Sequence, residues 1–219
     1  MTNKELKNID FWQKVLQELP ESYKLWFKDE KKFLYKNITK NSKVLEVGCG
    51  DGRSIKDIID ITQNITAIDN DPKAVIDASN NFKRYKTINI SLANAKDLPF
   101  KDNTFDHVLC LTTFANFGDD KYKILEEMKR VVRKKGTIII SVFSEDALDE
   151  RMKVYKSQEV PIKEIAKNGK IIFDESVGAN VSEQFSKKEL IKIFSKVKFT
   201  VEEIEKSGIG YMCKLSKDE

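Results

Sequence analysis

The sequence predicts an α/β fold in which a doubly wound, mostly parallel seven-stranded sheet has its last strand antiparallel and carries helices on both faces. Two observations support this prediction. From residue 43 onward, short β-branched runs alternate with helical segments, which is typical of a parallel sheet covered on both faces. The last two apolar runs are joined only by Ser207 to Gly210, a link that is too short for a parallel crossover.

Length and composition indicate one folded domain. The chain has 219 residues, of which 40% are hydrophobic and 34% charged, a balance that favours a packed core under a charged surface. We expect residues 1–40 to form an N-terminal helical cap and residues 41–143 the core of the domain. Residues 144–185 form an insertion or lid after the fifth strand, and residues 186–219 supply a closing helix and a strand hairpin.

The elements of the cap and core follow from hydrophobic spacing. Residues 8–38 have apolar positions at helical intervals and are divided by Pro20, so we expect two short helices, the second ending near Asn37. Strands are predicted at residues 43–47, 64–69, 89–93, 105–111 and 136–143. Helices are predicted at residues 54–61, 72–82 and 120–132, the last ended by Lys134, Lys135 and Gly136.

Residues 144–182 break this alternation. We expect two helical pieces around Pro161, followed by a small hairpin of residues 170–173 and 177–185. A helix over residues 186–194 begins with a capping box formed by Ser186 and Glu189. Residues 199–205 and 211–215 form the closing antiparallel strands.

Charge and cysteine usage limit the function classes. The net charge is +4, with both signs interleaved, which is weak support for nucleic acid as a partner. The three cysteines are far apart and His107 is the only histidine, so we expect neither a disulfide framework nor a metal site. Without a signal-like or membrane-length apolar run, a cytoplasmic monomer or homodimer with no membrane partner is expected.

A glycine-rich turn is the central motif. The strand at residues 44–47 runs into Gly48, Gly50 and Gly52 just before a helix, where glycine lets the backbone turn sharply and approach a ligand. A dinucleotide fingerprint would need glycine at position 53, but Arg53 stands there. A ligand without a pyrophosphate therefore fits better, although a nicotinamide-dependent oxidoreductase remains an alternative.

The neighbouring strand ends with a carboxylate, Asp69. An acceptor at this edge can take both ribose hydroxyls of an adenosine. The alternative is that Asp69 merely caps the helix beginning at Pro72, a position that Asn70 or Asp71 can also fill.

These motifs, with residues 94–100, 103–106 and 130–136 following in order, make the chain resemble the class I S-adenosylmethionine-dependent methyltransferases. The resemblance covers about residues 41–143 and resumes in the closing strands. It implies that the chain uses S-adenosylmethionine to methylate a small-molecule acceptor. It also implies cofactor contacts from Glu46, Gly48, Cys49, Gly50, Gly52, Asp69, Asn70, Asn94, Ala95, Leu111 and Thr112, with Asn94 replacing the family's common aspartate.

The same resemblance suggests that Tyr23, on an aromatic helix, reaches the cofactor carboxylate, although the neighbouring Trp26 and Phe27 also have the spacing of core residues. Acceptor contacts are expected from loops above the strand ends, for which the candidates are Phe114, Asn116, Phe143 and Gln184, with ordinary packing or exposure as the alternative.

No catalytic base is identified. His107 lies inside the fourth strand, below its carboxyl edge, where a packing role is favoured over catalysis. The Asn/Asp-Pro-Pro-Tyr signature of amino-directed nucleic-acid enzymes is missing, because residues 111–114 read Leu-Thr-Thr-Phe. An RNA or protein methyltransferase and a non-catalytic adenosyl-binding module remain open.

Overall fold

The computed structural model describes residues 19–177 and 179–217. Helix α1 (Glu21–Asn37) begins directly after Pro20 and buries one face, which includes Trp26 and Phe33, against the rest of the chain. The second predicted cap helix is thus confirmed. The first, within residues 8–19, falls almost entirely outside the described residues.

The other elements alternate as the sequence predicted. The strands of the main sheet and the helices between them are β1 (Val44–Val47), α2 (Arg53–Ile58), β2 (Ile65–Asp69), α3 (Pro72–Phe82), β3 (Ile88–Leu92), β4 (Phe105–Leu111), α4 (Lys121–Val131) and β5 (Val132–Phe143). The insertion holds α5 (Leu148–Ser157), β6 (Ile162–Ile165), β7 (Ile171–Phe173) and β8 (Val181–Ser182). The chain continues through α6 (Lys187–Lys196), β9 (Phe199–Ser207) and β10 (Gly210–Lys217).

The main sheet has seven strands in the order β3-β2-β1-β4-β5-β10-β9. Strands β1 to β5 are parallel, and β10 runs antiparallel to both β5 and β9. The predicted fold class is therefore confirmed. The strand order reverses between β1 and β4, so the carboxyl ends of these strands open onto a crevice where α/β sheets bind ligands.

The predicted end of α4 and start of β5 were wrong. The helix stops at Val131, and Val132 is already extended and paired with Phe105. The register then shifts before His107 pairs with Thr137, and Lys135 takes a left-handed conformation (φ 62°) inside this irregularity. Residues 134–136 therefore form a bulge within a strand instead of a helix terminus, because pairing with β4 resumes on both sides.

The insertion corrects a second prediction. Residues 162–165, expected to be helical, form β6, which pairs antiparallel with β7 in a three-stranded sheet of order β6-β7-β8. Pairing with β7 gives hydrogen-bond partners to backbone N–H and C=O groups that a short isolated helix would leave unpaired. The predicted hairpin is present as β7 and β8, but β8 has only two residues, and Glu175–Val177 form a 3₁₀ turn.

The closing elements pack against the cap helix. The Ser186 and Glu189 capping box is present at the start of α6. Gly208, with φ 52°, turns the chain from β9 into β10, and a Cβ added there would overlap the Ser22 carbonyl of α1. A Cβ on Gly210 would overlap the Trp26 ring. The hairpin thus lies close against α1 and holds it beside the end of β5.

No helix within the described ranges is both long and apolar enough to cross a membrane.

Candidate cofactor and acceptor site

One cavity of about 770 Å³ opens at the carboxyl ends of β1, β2 and β4 and extends to α1 and the insertion. Most of the sequence-predicted site residues line it, namely Tyr23, Gly48, Cys49, Gly50, Asp69, Asn70, Asn94, Ala95, Leu111, Thr112, Asn116 and Phe143. Four others, Glu46, Gly52, Phe114 and Gln184, are not among the lining residues. The size suits a cofactor and a small acceptor held side by side.

The glycine turn forms the floor of this cavity. Gly48, Gly50 and Gly52 all have positive φ values of 78°, 54° and 88°, which explains the glycine at every second position. A Cβ on Gly48 would overlap Thr113, and one on Gly52 would overlap Phe82, so these two glycines permit close packing. A Cβ on Gly50 would meet nothing within 4 Å, so this backbone borders open space that a ligand can fill.

Asp69 connects β2 to this turn. Its Oδ2 accepts a hydrogen bond from the Gly50 N–H at 2.9 Å, and Oδ1 accepts one from the Asp71 N–H at 3.0 Å. Helix α3 is capped instead by Asp71, whose side chain accepts from the Lys73 N–H at 2.8 Å. Burial raises the pKa of the Asp69 carboxyl, against these hydrogen bonds, which lower it. Asp69 therefore is not the helix cap and stands at the cavity wall with acceptor capacity left over.

A polar turn closes the end of the cavity beyond β3. The Asn94 side-chain oxygen accepts a hydrogen bond from the Lys96 N–H at 2.9 Å, which fixes the turn after the strand. Lys96 forms an ion pair with Asp120 at 3.0 Å. The amide oxygen of Asn94 is thus partly used in shaping its own turn, with one lone pair remaining for a ligand.

Glu46 lies beneath the turn, with 1% of its surface exposed. Its Oε1 accepts a hydrogen bond from the Ser54 hydroxyl, while Oε2 has no hydrogen-bond partner in the part of the chain that the structure describes. Burial raises the pKa of the Glu46 carboxyl to about 8. At neutral pH this carboxyl is therefore mainly protonated in the protein without ligand.

We expect the raised pKa of Glu46 to make stability pH-dependent. The ordinary pKa of 4.5 applies to the unfolded chain, and the folded protein favours the neutral Glu46 carboxyl. The contribution of this carboxyl to the free energy of unfolding is therefore full below pH 4.5 and is lost as pH rises through about 8. Compared with Glu46→Gln, the wild type should lose about 2–4 kcal/mol of unfolding free energy between pH 5 and pH 8. Urea denaturation of both proteins at several pH values measures this difference. Parallel curves for the two proteins would contradict it.

Arg53 and Glu30 form an ion pair that sequence reasoning missed. The Arg53 Nη2 donates to Glu30 Oε1 at 2.7 Å, and the Glu30 side chain is 1% exposed. The guanidinium lies over the Phe27 ring, 4.2 Å from its centroid. Arg53 also lines the cavity. The pair joins the cap helix to the first residue of α2, directly after the glycine turn. The signal was a glutamate within the buried face of α1.

Aromatic side chains form the wall of the cavity between α1 and the end of β5. The Tyr23 ring lies 6.0 Å from that of Phe143, and Trp26 lies 5.3 Å from the same ring, between centroids. Burial raises the pKa of the Tyr23 hydroxyl, so it stays protonated. The preceding residue, Ser22, donates a hydrogen bond to Glu150 of α5 at 2.9 Å, which places this part of α1 beside the insertion.

Two predicted acceptor contacts are not brought to the cavity. Phe114 is fully buried and packs against Phe185 and Phe194. Gln184 instead accepts a hydrogen bond from Arg151 at 2.9 Å and donates one to the Glu145 carbonyl at 2.6 Å. Phe114 and Gln184 therefore stabilise the insertion and do not line the cavity.

The arrangement fits a nucleoside that carries a flexible charged tail. Gly50 leaves an open cradle, Asp69 offers acceptor oxygens and the Asn94 turn closes the far end. Such a pocket at the reversal point of a doubly wound sheet is typical of proteins that bind a nucleoside-containing cofactor.

Comparisons with known proteins identify the family. Residues 45–140 match the methyltransferase domain family. An uncharacterised protein of Methanocaldococcus jannaschii is 30% identical over 66% of this chain and 69% of its own length. A demethylmenaquinone methyltransferase of Tropheryma whipplei is 31% identical over 66% of this chain, which spans 58% of that relative.

A solved structure agrees in fold. The 1,6-didemethyltoxoflavin-N1-methyltransferase of Burkholderia thailandensis, with bound 1,6-didemethyltoxoflavin and S-adenosylhomocysteine, has a TM-score of 0.65 and 18% identity. The match covers 86% of this chain and 76% of that one. The chain belongs to the class I S-adenosylmethionine-dependent methyltransferases, and its cofactor is S-adenosylmethionine.

His107 lies away from this site. Its Nδ1 is 2.6 Å from the Thr137 hydroxyl and its Nε2 is 3.3 Å from the Thr39 N–H, at the amino end of β1. We expect His107→Ala to lower the unfolding free energy by about 1–3 kcal/mol, because it removes a buried ring and leaves the half-buried Thr137 hydroxyl without its imidazole partner. Affinity for S-adenosylhomocysteine should not change. Urea denaturation and calorimetry check the two parts, and a parallel loss of affinity would contradict the packing role.

Proposed function

We propose that this chain methylates a small organic acceptor held between the end of β5 and the insertion, with residues 144–185 acting as the lid. The observation that carries the proposal is that Gly50 of the glycine turn and Tyr155 of the insertion line the same cavity. This one cavity therefore offers space for both the cofactor and the acceptor.

The cofactor half is assigned to the glycine turn and the two strand ends beside it. The backbone around Gly48 to Gly50 meets the amino-acid part, Asp69 accepts from the ribose hydroxyls, and Asn94 borders the adenine. Leu111 and Thr112, at the end of β4, complete the wall near the sulfur. When bound, S-adenosylmethionine supplies a methyl group already activated on its sulfonium sulfur, so the protein mainly has to align the acceptor.

The acceptor half is assigned to the aromatic wall. Tyr23 and Phe143 border the space above the end of β5, and Tyr155 borders it from the insertion. These residues exclude water and orient the acceptor. The curated relative is named for demethylmenaquinone, and the structural neighbour holds 1,6-didemethyltoxoflavin. Neither compound is a nucleic acid or a protein, which supports a small-molecule acceptor here.

Release of S-adenosylhomocysteine tests the proposal. The purified chain, supplied with S-adenosylmethionine and fractions of a metabolite panel, should release product with at least one acceptor pool. Phe143→Ala should lower this turnover, while Phe199→Ala, an aromatic truncation outside the cavity lining, serves as the matched packing control. Cofactor binding without product from any pool would favour the non-catalytic adenosyl-binding module. Tighter binding of a nicotinamide dinucleotide would favour the oxidoreductase.

A further inference from the structure

The charges around the acceptor half of the cavity indicate the class of acceptor. We propose that it is an aromatic compound carrying a carboxylate or other anionic oxygen, and that Lys170 binds this charge. The inference rests on the proposed function, because it assumes that the insertion faces the acceptor.

Lys170 is the one charged side chain that the insertion contributes to the lining within the described ranges. The other contributions there are Tyr155, Val177 and residues 179–182. Its Nζ lies 3.9 Å from Glu183 Oε1, a long contact, whereas Lys121 Nζ lies 2.8 Å from the Glu183 Oε2. Glu183 is thus neutralised mainly by Lys121. The Lys170 ammonium remains available to a ligand, with 28% of its side chain exposed.

Arg151 adds a second positive charge behind the aromatic wall. This fully buried residue donates to the Gly169 carbonyl at 3.2 Å and to the Ser182 carbonyl at 2.8 Å. Its third acceptor is the neutral amide of Gln184. No carboxylate lies within 4.0 Å of its guanidinium in the part of the chain the structure covers. A buried cation with only neutral partners favours an anion nearby.

The guanidinium also lies near the acceptor wall. Its carbon is 4.6 Å from the centroid of Phe143 and 5.9 Å from that of Tyr155. Both rings line the cavity. An aromatic acceptor can pack edge-to-face against such rings. Its anionic group would then feel both Lys170 and the Arg151 charge, which is weakly screened by the protein interior.

The carboxylates that line the cavity come from the ends of β1 and β2 and from the segment just before α4, namely Asp51, Asp69, Asp71, Asp119 and Asp120. Asp69 is held by the glycine turn, and Asp120 is paired with Lys96, which follows the adenine-side Asn94. The insertion contributes no carboxylate among its described lining residues. The charge that the insertion itself brings to the described lining is therefore positive.

A titration with two matched probes tests this charge preference. The protein is first saturated with S-adenosylhomocysteine, and then 2-naphthoate or the neutral 2-naphthamide is added in a calorimeter. We expect the carboxylate to bind about tenfold or more tightly than the amide, a difference of about 1.4 kcal/mol. Lys170→Met should remove most of the preference, with a remainder from Arg151, whereas Lys163→Met, which changes an exposed lysine on neighbouring β6 outside the lining, should retain it.

The outcomes separate this inference from the proposed function. Equal binding of the two probes, no binding of 2-naphthoate, or an unchanged preference in Lys170→Met would overturn the anionic acceptor. Failure of S-adenosylhomocysteine to bind in the first step would instead count against the proposed function. A loss of preference in both lysine variants would indicate a general charge effect and would also overturn the role of Lys170.

Discussion

Replacing Arg53 by methionine is expected to lower the free energy of unfolding by about 3 kcal/mol. The change leaves the Glu30 carboxylate buried without its cation, and breaking a buried pair in this way typically costs about 3–5 kcal/mol. The Arg53 side chain is 23% exposed, so we expect the lower end of that range. The loss of the guanidinium over Phe27 adds to the effect.

Urea denaturation measures this change. Lys56→Met is the matched control, because it removes an exposed cation from the same helix and should cost little. The double variant Glu30→Gln with Arg53→Met should be more stable than Arg53→Met alone, since the neutral amide is less costly to bury. A loss below about 1 kcal/mol for Arg53→Met would show that the pair behaves as a surface salt bridge.

Asp69→Ala should weaken binding of S-adenosylhomocysteine about 100-fold. Hydrogen bonds to a charged acceptor contribute about 1.5–3 kcal/mol each, and 2.7 kcal/mol corresponds to about 100-fold in affinity. The substitution also releases the Gly50 N–H, which Asp69 holds at 2.9 Å. The glycine turn would therefore lose both its ligand contact and its support.

Calorimetric titration measures this affinity. Asp77→Ala is the matched control, because it removes a carboxylate from α3 outside the cavity lining. We expect that control to bind S-adenosylhomocysteine as the wild type does. An Asp69→Ala protein that binds within about threefold of the wild type, less than about 0.7 kcal/mol, would exclude the ribose contact.

The core of the fold was predictable because its signals are local. The alternation of β-branched runs with helical segments places β1 to β5, and the Ser186 and Glu189 pair marks the start of α6. The errors fall where long-range pairing decides the structure. Residues 162–165 are strand only because β7 lies beside them, and the bulge at residues 134–136 depends on the register with β4.

The residues of the candidate site also divide into those that local sequence patterns predict and those that depend on long-range contacts. The glycines and Asp69 were found because motif and strand end lie within short segments. Arg53 with Glu30 was missed, because the pair joins residues from two separate helices. Phe114 was predicted to contact the acceptor because it lies in a loop, but its side chain packs against Phe194 of α6 and is buried in the core. The helix that supplies Phe194 follows some 80 positions later in the printed sequence, too far for a local pattern to show.

Titration of the wild-type protein with S-adenosylhomocysteine and, separately, with NAD tests the adenosyl pocket most directly. We expect S-adenosylhomocysteine to bind with one molecule per chain and at least about tenfold more tightly than NAD, a difference of about 1.4 kcal/mol. No heat of binding with S-adenosylhomocysteine at millimolar concentration, or tighter binding of NAD, would contradict it.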